Sequence, residues 1–491
     1  HLAVLLLNQQ IARDWATFRA DIKHMITTFA FQWVSLFMTE TFARPMSAFH
    51  RSATILLAKV YDAGSTAEVA QIATAFAAEL QSDQLRVLLF SLRSLCEIAR
   101  ESEYFKHVEL LRACYPRVQE LVLAADSSDE MHNRILLYSM KFMRICTRKF
   151  GEARIACGFD DHSAGVIDEY IPLWSSTAVS WLSRHVHDAS AIMSNLPIIL
   201  ECLKSLTTAI DCFCHNCRLD LNAINAMNIN VLRAIRESYL LSAGADAGYS
   251  SDGDREDLEM LVVQIFELLC ASLSAGGSIA NATTNHATVL DNLVVLLAEY
   301  MSLSTEQVDT WFHDSNGFIS AEYDDTLGCS LRQTGADVIN QICRGNTGAA
   351  YYSLVALVQQ KFAQLAPAAL EADSSKQVLH LEGILWMLGG MRRRYLAAVR
   401  AEKNAVSSNA NGKMSRNASI VSMVPSAQLS AVLTHVMATV MKMPRAGLVC
   451  ILQSRALWIC GEMMDVFEQE LQYTSQLAVL CVSLMSQEFP L

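Results

Sequence analysis

Two stretches of the chain hold side chains of the kinds that bind metals or move protons. The first is "DCFCHNC", residues 211 to 217, which brings Cys212, Cys214, His215 and Cys217 close together; thiolates and imidazoles at short spacing are the donors of a zinc site. It follows an apolar run in which Ile199, Leu203, Leu206, Ile210, Phe213 and Cys217 recur at helical intervals. On a continuing helix Cys212 and Cys214 stand roughly 200° apart around the axis and cannot share one ion. No second CxxC or HxxxH half-site completes a tetrahedral set, so the stretch reads as a helix end and no metal is expected. The second is "WFHDSNGFISAEYDDT", residues 311 to 326, with adjacent carboxylates at Asp324 and Asp325. Neighbouring residues do not face each other across a substrate, and no nucleophile motif accompanies them. Nor does the chain contain a P-loop, a GxSxG elbow, an HExxH helix or a GxGxxG on a strand. No enzyme and no cofactor are expected.

The elements that must position these residues are helices. With 8 Pro and 20 Gly in 491 residues, against average usage of roughly 5% and 7%, the chain has few turn residues. Leu, Ala and Met, which lose little rotamer freedom in a helix, dominate. Apolar runs such as "HLAVLLL" and "LVVLLAEYM" end well short of the roughly 18 to 20 residues a bilayer demands, so no membrane insertion is expected. The start lacks a basic n-region and a small-residue cleavage site, and without an initiator Met it reads as a truncated chain. Most of the 14 cysteines, among them Cys96, Cys146, Cys270 and Cys460, lie singly in apolar helical patterns, where a free thiol packs as a small hydrophobe. That pattern suits cytosol or nucleus.

Three segments align without gaps: "LLFSLRSLCEI" from Leu88, "LLYSMKFMRIC" from Leu136 and "ILECLKSLTTA" from Ile199. In the first, Leu88, Leu89, Leu92 and Leu95 form one helical stripe and Arg93 falls outside it; Lys141 and Lys204 are its counterparts. The first step is close to the roughly 40 to 47 residues of a HEAT or armadillo unit, and the second requires an insertion. An all-α, HEAT-repeat superhelical solenoid is predicted. Repeats are expected over 1–248, over 249–402 with acidic loops at 249–259 and 311–326, and over 427–491, with a disordered insertion at 403–426. Within that insertion, Arg416 three residues before Ser419 makes the serine a candidate phosphorylation site.

Charge narrows the partners. Lys plus Arg is 38 against 50 for Asp plus Glu, net −12 with pI about 5.6, which argues against a direct nucleic-acid binder needing a basic face. The stripes Lys141, Arg144, Arg148 and Arg392 to Arg394 read as solvated faces. Asp252, Asp254, Glu256, Asp257 and Glu259 read first as a loop entering an acidic helix start, which the helix dipole favours.

The segment from Leu303 onward resembles a characteristic stretch of the importin-β superfamily of nuclear transport receptors. The family's Trp-x-x-Asp-x-x-x-Phe-Ile-x-x-Glu element, followed by acids and an Arg-led helix, corresponds here to Trp311, Asp314, Phe318, Ile319, Glu322, Asp324, Asp325 and Arg332. The continuation is most similar to the importin-nine branch, with importin-eleven next; "LEGILWMLGGM", residues 381 to 391, and "LQSRALWICGEM", residues 452 to 463, fit the same family in order and spacing. Physically, Trp311 and Phe318 are expected to staple a loop onto neighbouring helices, and Arg332 and Asp337 to satisfy backbone and neighbouring side chains. The resemblance implies a receptor that shuttles between cytoplasm and nucleus, carries basic protein cargo such as histones or ribosomal proteins, contacts nuclear pore proteins and answers to the GTPase Ran. The family's N-terminal Ran-binding helices are not recognisable at residue 1. The acids Asp252, Asp254, Glu256, Asp257, Glu259, Asp314, Glu322, Asp324 and Asp325 are then candidates for cargo contact. An exportin of the same superfamily, or a HEAT scaffold outside transport, are the alternatives.

Overall fold

A computed structural model describes residues 10–11, 13–39, 46–63, 66–102, 107–124, 129–157, 161–214, 219–242, 256–277, 286–323, 330–363, 374–392, 395–397, 426–443, 447–463 and 479. The protein is all-α, with no strand among the described residues. It divides into two compact units, His1–Asp220 and Leu221–Leu491, each a stack of helix pairs of the HEAT type. The boundary expected after residue 248 therefore falls inside the second unit.

The first unit contains α1 (Ala20–Thr39), α2 (Met46–Ala63), α3 (Thr66–Glu79), α4 (Leu85–Glu101), α5 (His107–Ala124), α6 (Glu130–Cys157), α7 (Asp161–His185), the short α8 (Ala189–Ser194) and α9 (Leu196–Phe213). One layer runs α2, α4, α6, α9 and the other α3, α5, α7, each helix packing on the next of its own layer and on its sequence neighbour. The three aligned segments begin on α4, α6 and α9, which lie side by side in that order. Part of the insertion anticipated before the third copy is α8, whose start is capped by the Asp188 carboxylate accepting from the Ala191 N–H at 2.8 Å. Cys96, Cys146 and Cys460 are buried while Cys270 is only partly so. Burial pushes the Cys96 thiol up to about 12, against the pull of Lys141, which leaves it protonated and inert.

The basic positions of the repeat need correction. Lys141, expected outside the buried stripe and on a solvated face, is only 3% exposed and lies 5.6 Å from the Tyr138 ring centroid. Arg144 donates from Nε to Glu201 at 2.8 Å, and Lys204 Nζ lies 3.4 Å from the same buried carboxylate. Arg148 alone of that stripe is mainly solvated, paired with Glu152 on its own helix. The reason is architectural. A helix in the middle of a stack is covered on both flanks as well as from the opposite layer, so its buried arc is wider than a single stripe predicts.

The second unit contains α10 (Leu221–Ser242), α11 (Leu258–Ser274), α12 (His286–Tyr300), α13 (Thr305–His313), α14 (Ser315–Tyr323), α15 (Leu331–Ala363), α16 (Ser374–Gly390), α17 (Ser426–Val440) and α18 (Leu448–Glu462). Here α10, α12, α16 and α18 form one layer and α11, α15 and α17 the other. The short helices α13 and α14 pack chiefly on each other and belong to neither layer. They are an inserted hairpin between α12 and α15.

Close approach of α16 to the end of α12 depends on Gly383. A Cβ there would meet only backbone, with Met301 O and Ser302 N at 3.1 Å and Ala298 O at 3.2 Å, and backbone cannot rotate out of the way as a side chain can. Gly383→Ala is expected to lower unfolding free energy by about 1–3 kcal/mol, the range for overpacking, measured by chemical denaturation. An unchanged midpoint would mean that the two segments are not pressed together as described.

Candidate functional site

The inserted hairpin starts with a capping box. Ser304 Oγ accepts from the Gln307 N–H at 3.2 Å, and the Gln307 side chain accepts from the Ser304 N–H at 2.9 Å. Asp314 both closes α13 and opens α14: its N–H donates to Thr310 O at 2.7 Å and its carboxylate accepts from the Gly317 N–H at 2.9 Å. One residue thus makes a corner tight enough to fold α14 back on α13. Across the corner Trp311 and Phe318 meet edge to face, ring centroids 5.3 Å apart and planes at 82°. Phe318 enters a small core with Leu303, Val308 and Ile451, with Trp311, Leu379 and Leu448 around it.

One turn after Phe318 on the same face of α14 is Glu322, which reaches the charged centre of the unit. Arg332, at the start of α15, makes two bonds to Glu382 of α16, each 2.8 Å, and a third to Met301 O at 2.9 Å. Arg455 of α18 donates from Nε to Glu382 at 2.6 Å and from Nη2 to both oxygens of Glu322 at 2.7 Å. Glu322 also lies 3.2 Å from Arg332. The side chains of Arg332, Glu382 and Arg455 are 3%, 0% and 7% exposed and that of Glu322 9%. Trp386 and Trp458 stack at 5.2 Å beside the group, and the Arg455 guanidinium lies 4.6 Å from one ring and 4.9 Å from the other.

Two cations and two anions leave this group neutral, which is what permits its burial. Burial alone would raise the Glu382 carboxyl, but the guanidiniums of Arg332 and Arg455 outweigh it and hold the group below its ordinary value. Burial would likewise lower Arg455, and the two carboxylates outweigh it and raise it.

Several expected positions move as a result. Glu322, read as a surface acid for cargo, points inward and is spent on two arginines; Arg332 satisfies Met301 O, as expected, and a carboxylate pair as well. Asp314 is exposed but its carboxylate caps α14. Asp257 is the N-cap of α11, accepting from the Met260 N–H at 2.8 Å, with Glu259 in the first turn, so the helix-start reading holds for it. Glu256 and Glu259 are half-buried and Asp337 is exposed on α15. Asp252, Asp254, Asp324, Asp325, Ser419, the expected insertion to residue 425 and the cysteine cluster from His215 to Cys217 lie outside the described residues; Cys212 and Cys214 stand at the end of α9, where Cys212 packs on Gly151. Arg392 is one-third exposed and pairs with Glu462 at 3.1 Å.

Glu382, Trp386, Arg455 and Trp458 were not singled out by sequence reasoning. A usable signal exists: Glu382 shares a helical face with Val378 and Leu385, and Arg455 with Leu452 and Ile459. A lone charge on an apolar stripe calls for an opposite lone charge elsewhere.

Between α14 and α18 lies a cleft of about 180 Å³, lined by Trp311, Ile319, Glu322, Ile451, Arg455 and Trp458 among others. Among the described residues no group of acids, histidines and cysteines could hold a metal, and no helix is long and apolar enough to cross a membrane.

Because Glu382 titrates below its unfolded value, the stability it contributes is complete above about pH 4.3 and is lost as pH falls through the folded-state value. Glu382→Gln is expected to lower unfolding free energy by about 3 kcal/mol at pH 7, the lower range for removing one partner of a buried pair. The gap to the unsubstituted protein should close as pH drops below about 4. Denaturant titrations across pH 3 to 7 measure both; a gap independent of pH would show that the charge on Glu382 is not what stabilises the group.

No protein-family model matches the sequence, and no curated protein matches it. Among solved structures, the exportin Cse1 in its cargo-free, cytoplasmic state is similar over 96% of this chain and 51% of its own, at 10% identity with a TM-score of 0.49. An engineered protein is similar over 89% of this chain and 98% of its own, at 11% identity with a TM-score of 0.26. The chain spans about half the length of the exportin.

Proposed function

We propose that this chain is part of a karyopherin-type nuclear transport receptor, similar to the importin-nine and importin-eleven branch, that carries basic protein cargo and answers to Ran-GTP. One observation carries the reading. Three separate segments resemble the importin-β superfamily, and they come together in one place through Trp311, Phe318, Glu322 and Arg332 of the first, Glu382 and Trp386 of the second, and Arg455 and Trp458 of the third.

The fold class and the charge agree with that role. Stacked helix pairs contact mainly their neighbours, so small rotations at each step sum to a large change in a binding surface. A net charge of −12 attracts basic partners and speeds their association in a salt-dependent way. With Glu322 committed internally, the acids that remain for cargo are Glu256 and Glu259 at the start of α11, together with Asp252, Asp254, Asp324 and Asp325.

The test uses the full-length receptor and measures binding of Ran loaded with GTP or GDP, with and without a histone as basic probe. Selective binding of the GTP form that weakens histone affinity by roughly 5- to 150-fold, the usual span of such coupling, is the expected result. Strengthened cargo binding would make the receptor an exportin. Indifference to both nucleotide forms would reject transport and leave a helical scaffold.

A further inference from the structure

The α13–α14 hairpin is fixed to the second unit at few points. Among the described side chains from Thr305 to Glu322, only those of Val308, Phe318 and Glu322 are largely buried, and Phe312 and Ile319 are exposed large apolar groups. The hairpin meets α18 through one small core, where Phe318 packs with Ile451 and Trp311 and Leu448 lie around it; beyond that core a cleft of about 180 Å³ opens between them, and interiors that act as one body leave few such gaps. What bridges the gap is Glu322, with both oxygens on Arg455 Nη2.

Removing Glu322 changes the charge of the centre. Arg332 and Arg455 would face Glu382 alone, the other carboxylate on Arg455 among the described residues, and the site would carry one net positive charge beside Trp386 and Trp458. A largely buried positive charge requires an anion. Lifting the hairpin therefore creates an anion site with apolar walls, and the hairpin itself shows what fits it. Its occupant is a carboxylate on a helical turn with an apolar residue, Ile319, three positions earlier on the cleft wall.

We infer that the α13–α14 hairpin is a latch whose Glu322 carboxylate occupies, within the chain, a site that an acidic side chain of a partner polypeptide takes when the hairpin lifts. The latch does not rest on the transport reading. Opening exchanges one carboxylate for another, so the charge balance of the centre is the same in both states. The helical layers need not unfold, because α12, α15, α16 and α18 pack on one another without the hairpin.

Amide hydrogen exchange on the full chain, resolved over residues 305 to 323, tests the movement, and binding of a synthetic peptide copying Ser315–Tyr323 tests the site. Glu322→Gln is expected to raise exchange of the hairpin roughly tenfold or more while α11 and α15 keep their protection. The same variant should bind the peptide, and should not bind a peptide carrying Gln in place of the Glu322 equivalent. Phe318→Ala, which leaves all four charges in place, should raise hairpin exchange in the same way. Unchanged exchange in both variants, loss of protection throughout α11 and α15 together with the hairpin, or equal binding of the two peptides would each overturn the latch.

Discussion

Burying two arginines and two glutamates together imposes a completeness condition on the second unit. Each charge leaves water at a penalty of several kcal/mol, and only its partners offset it. Glu382 is the member with no exposed surface, and it is held by Arg332 from α15 and Arg455 from α18. None of the three can be placed correctly unless the other two are. The position of α16 between α15 and α18 is therefore specified by directional bonds as well as by apolar fit, and the Trp386–Trp458 stack and the Gly383 contact follow from that position.

This constraint differs in kind from the rest of the fold. In a stack of helix pairs each element interacts mainly with its neighbours, and leucine-rich faces tolerate small slips along the axis. The ion group extends beyond any one pair of neighbouring helices. It joins α14, α15, α16 and α18 and, through Met301 O, the end of α12. A bidentate guanidinium–carboxylate pair has a narrow geometric tolerance, so a slip that an apolar face would absorb breaks bonds here. The first unit has a simpler relative of this arrangement. Glu201 on α9 is approached by Arg144 on α6 and Lys204 on α9 itself, a contact between two adjacent helices that fixes one step of the stack and no more.

Much of the scaffold was legible in the sequence, and the reason is periodicity. Three copies of one apolar pattern identified three helices that pack in sequence order, and the low proline and glycine counts identified an all-α chain. The contact between Trp311 and Phe318 was legible because two large rings flanking a polar corner have few other ways to leave water, but the loop expected over 311–326 was not there to be stapled: through Tyr323 it is the end of α13 and the whole of α14. The ion group was not, because its members are spread from Glu322 to Arg455 and each alone looks like an ordinary helix charge. Lys141 was misread for a related cause. A pattern of apolar residues reports the face a helix turns to one neighbour, while a stack buries its flanks too, and the residues on those flanks are charged wherever the next helix supplies a partner. Sequence spacing carries the first kind of information and not the second.

The hairpin shows why the distinction matters for what the molecule can do. In the first unit both partners of the Arg144–Glu201 pair belong to helices packed along much of their length, so neither can leave without dismantling the stack. In the second unit one of the four charges is carried on an element that belongs to neither layer. Glu322 completes the neutrality of a centre built by the layers, yet it is attached to them through a single small apolar core around Phe318. Electrostatic completeness makes the closed state favourable, and the sparse packing keeps the penalty of leaving it local. A centre that requires a carboxylate, but obtains it from a weakly attached element, is selective about what may replace that element: the replacement must also bring an anion.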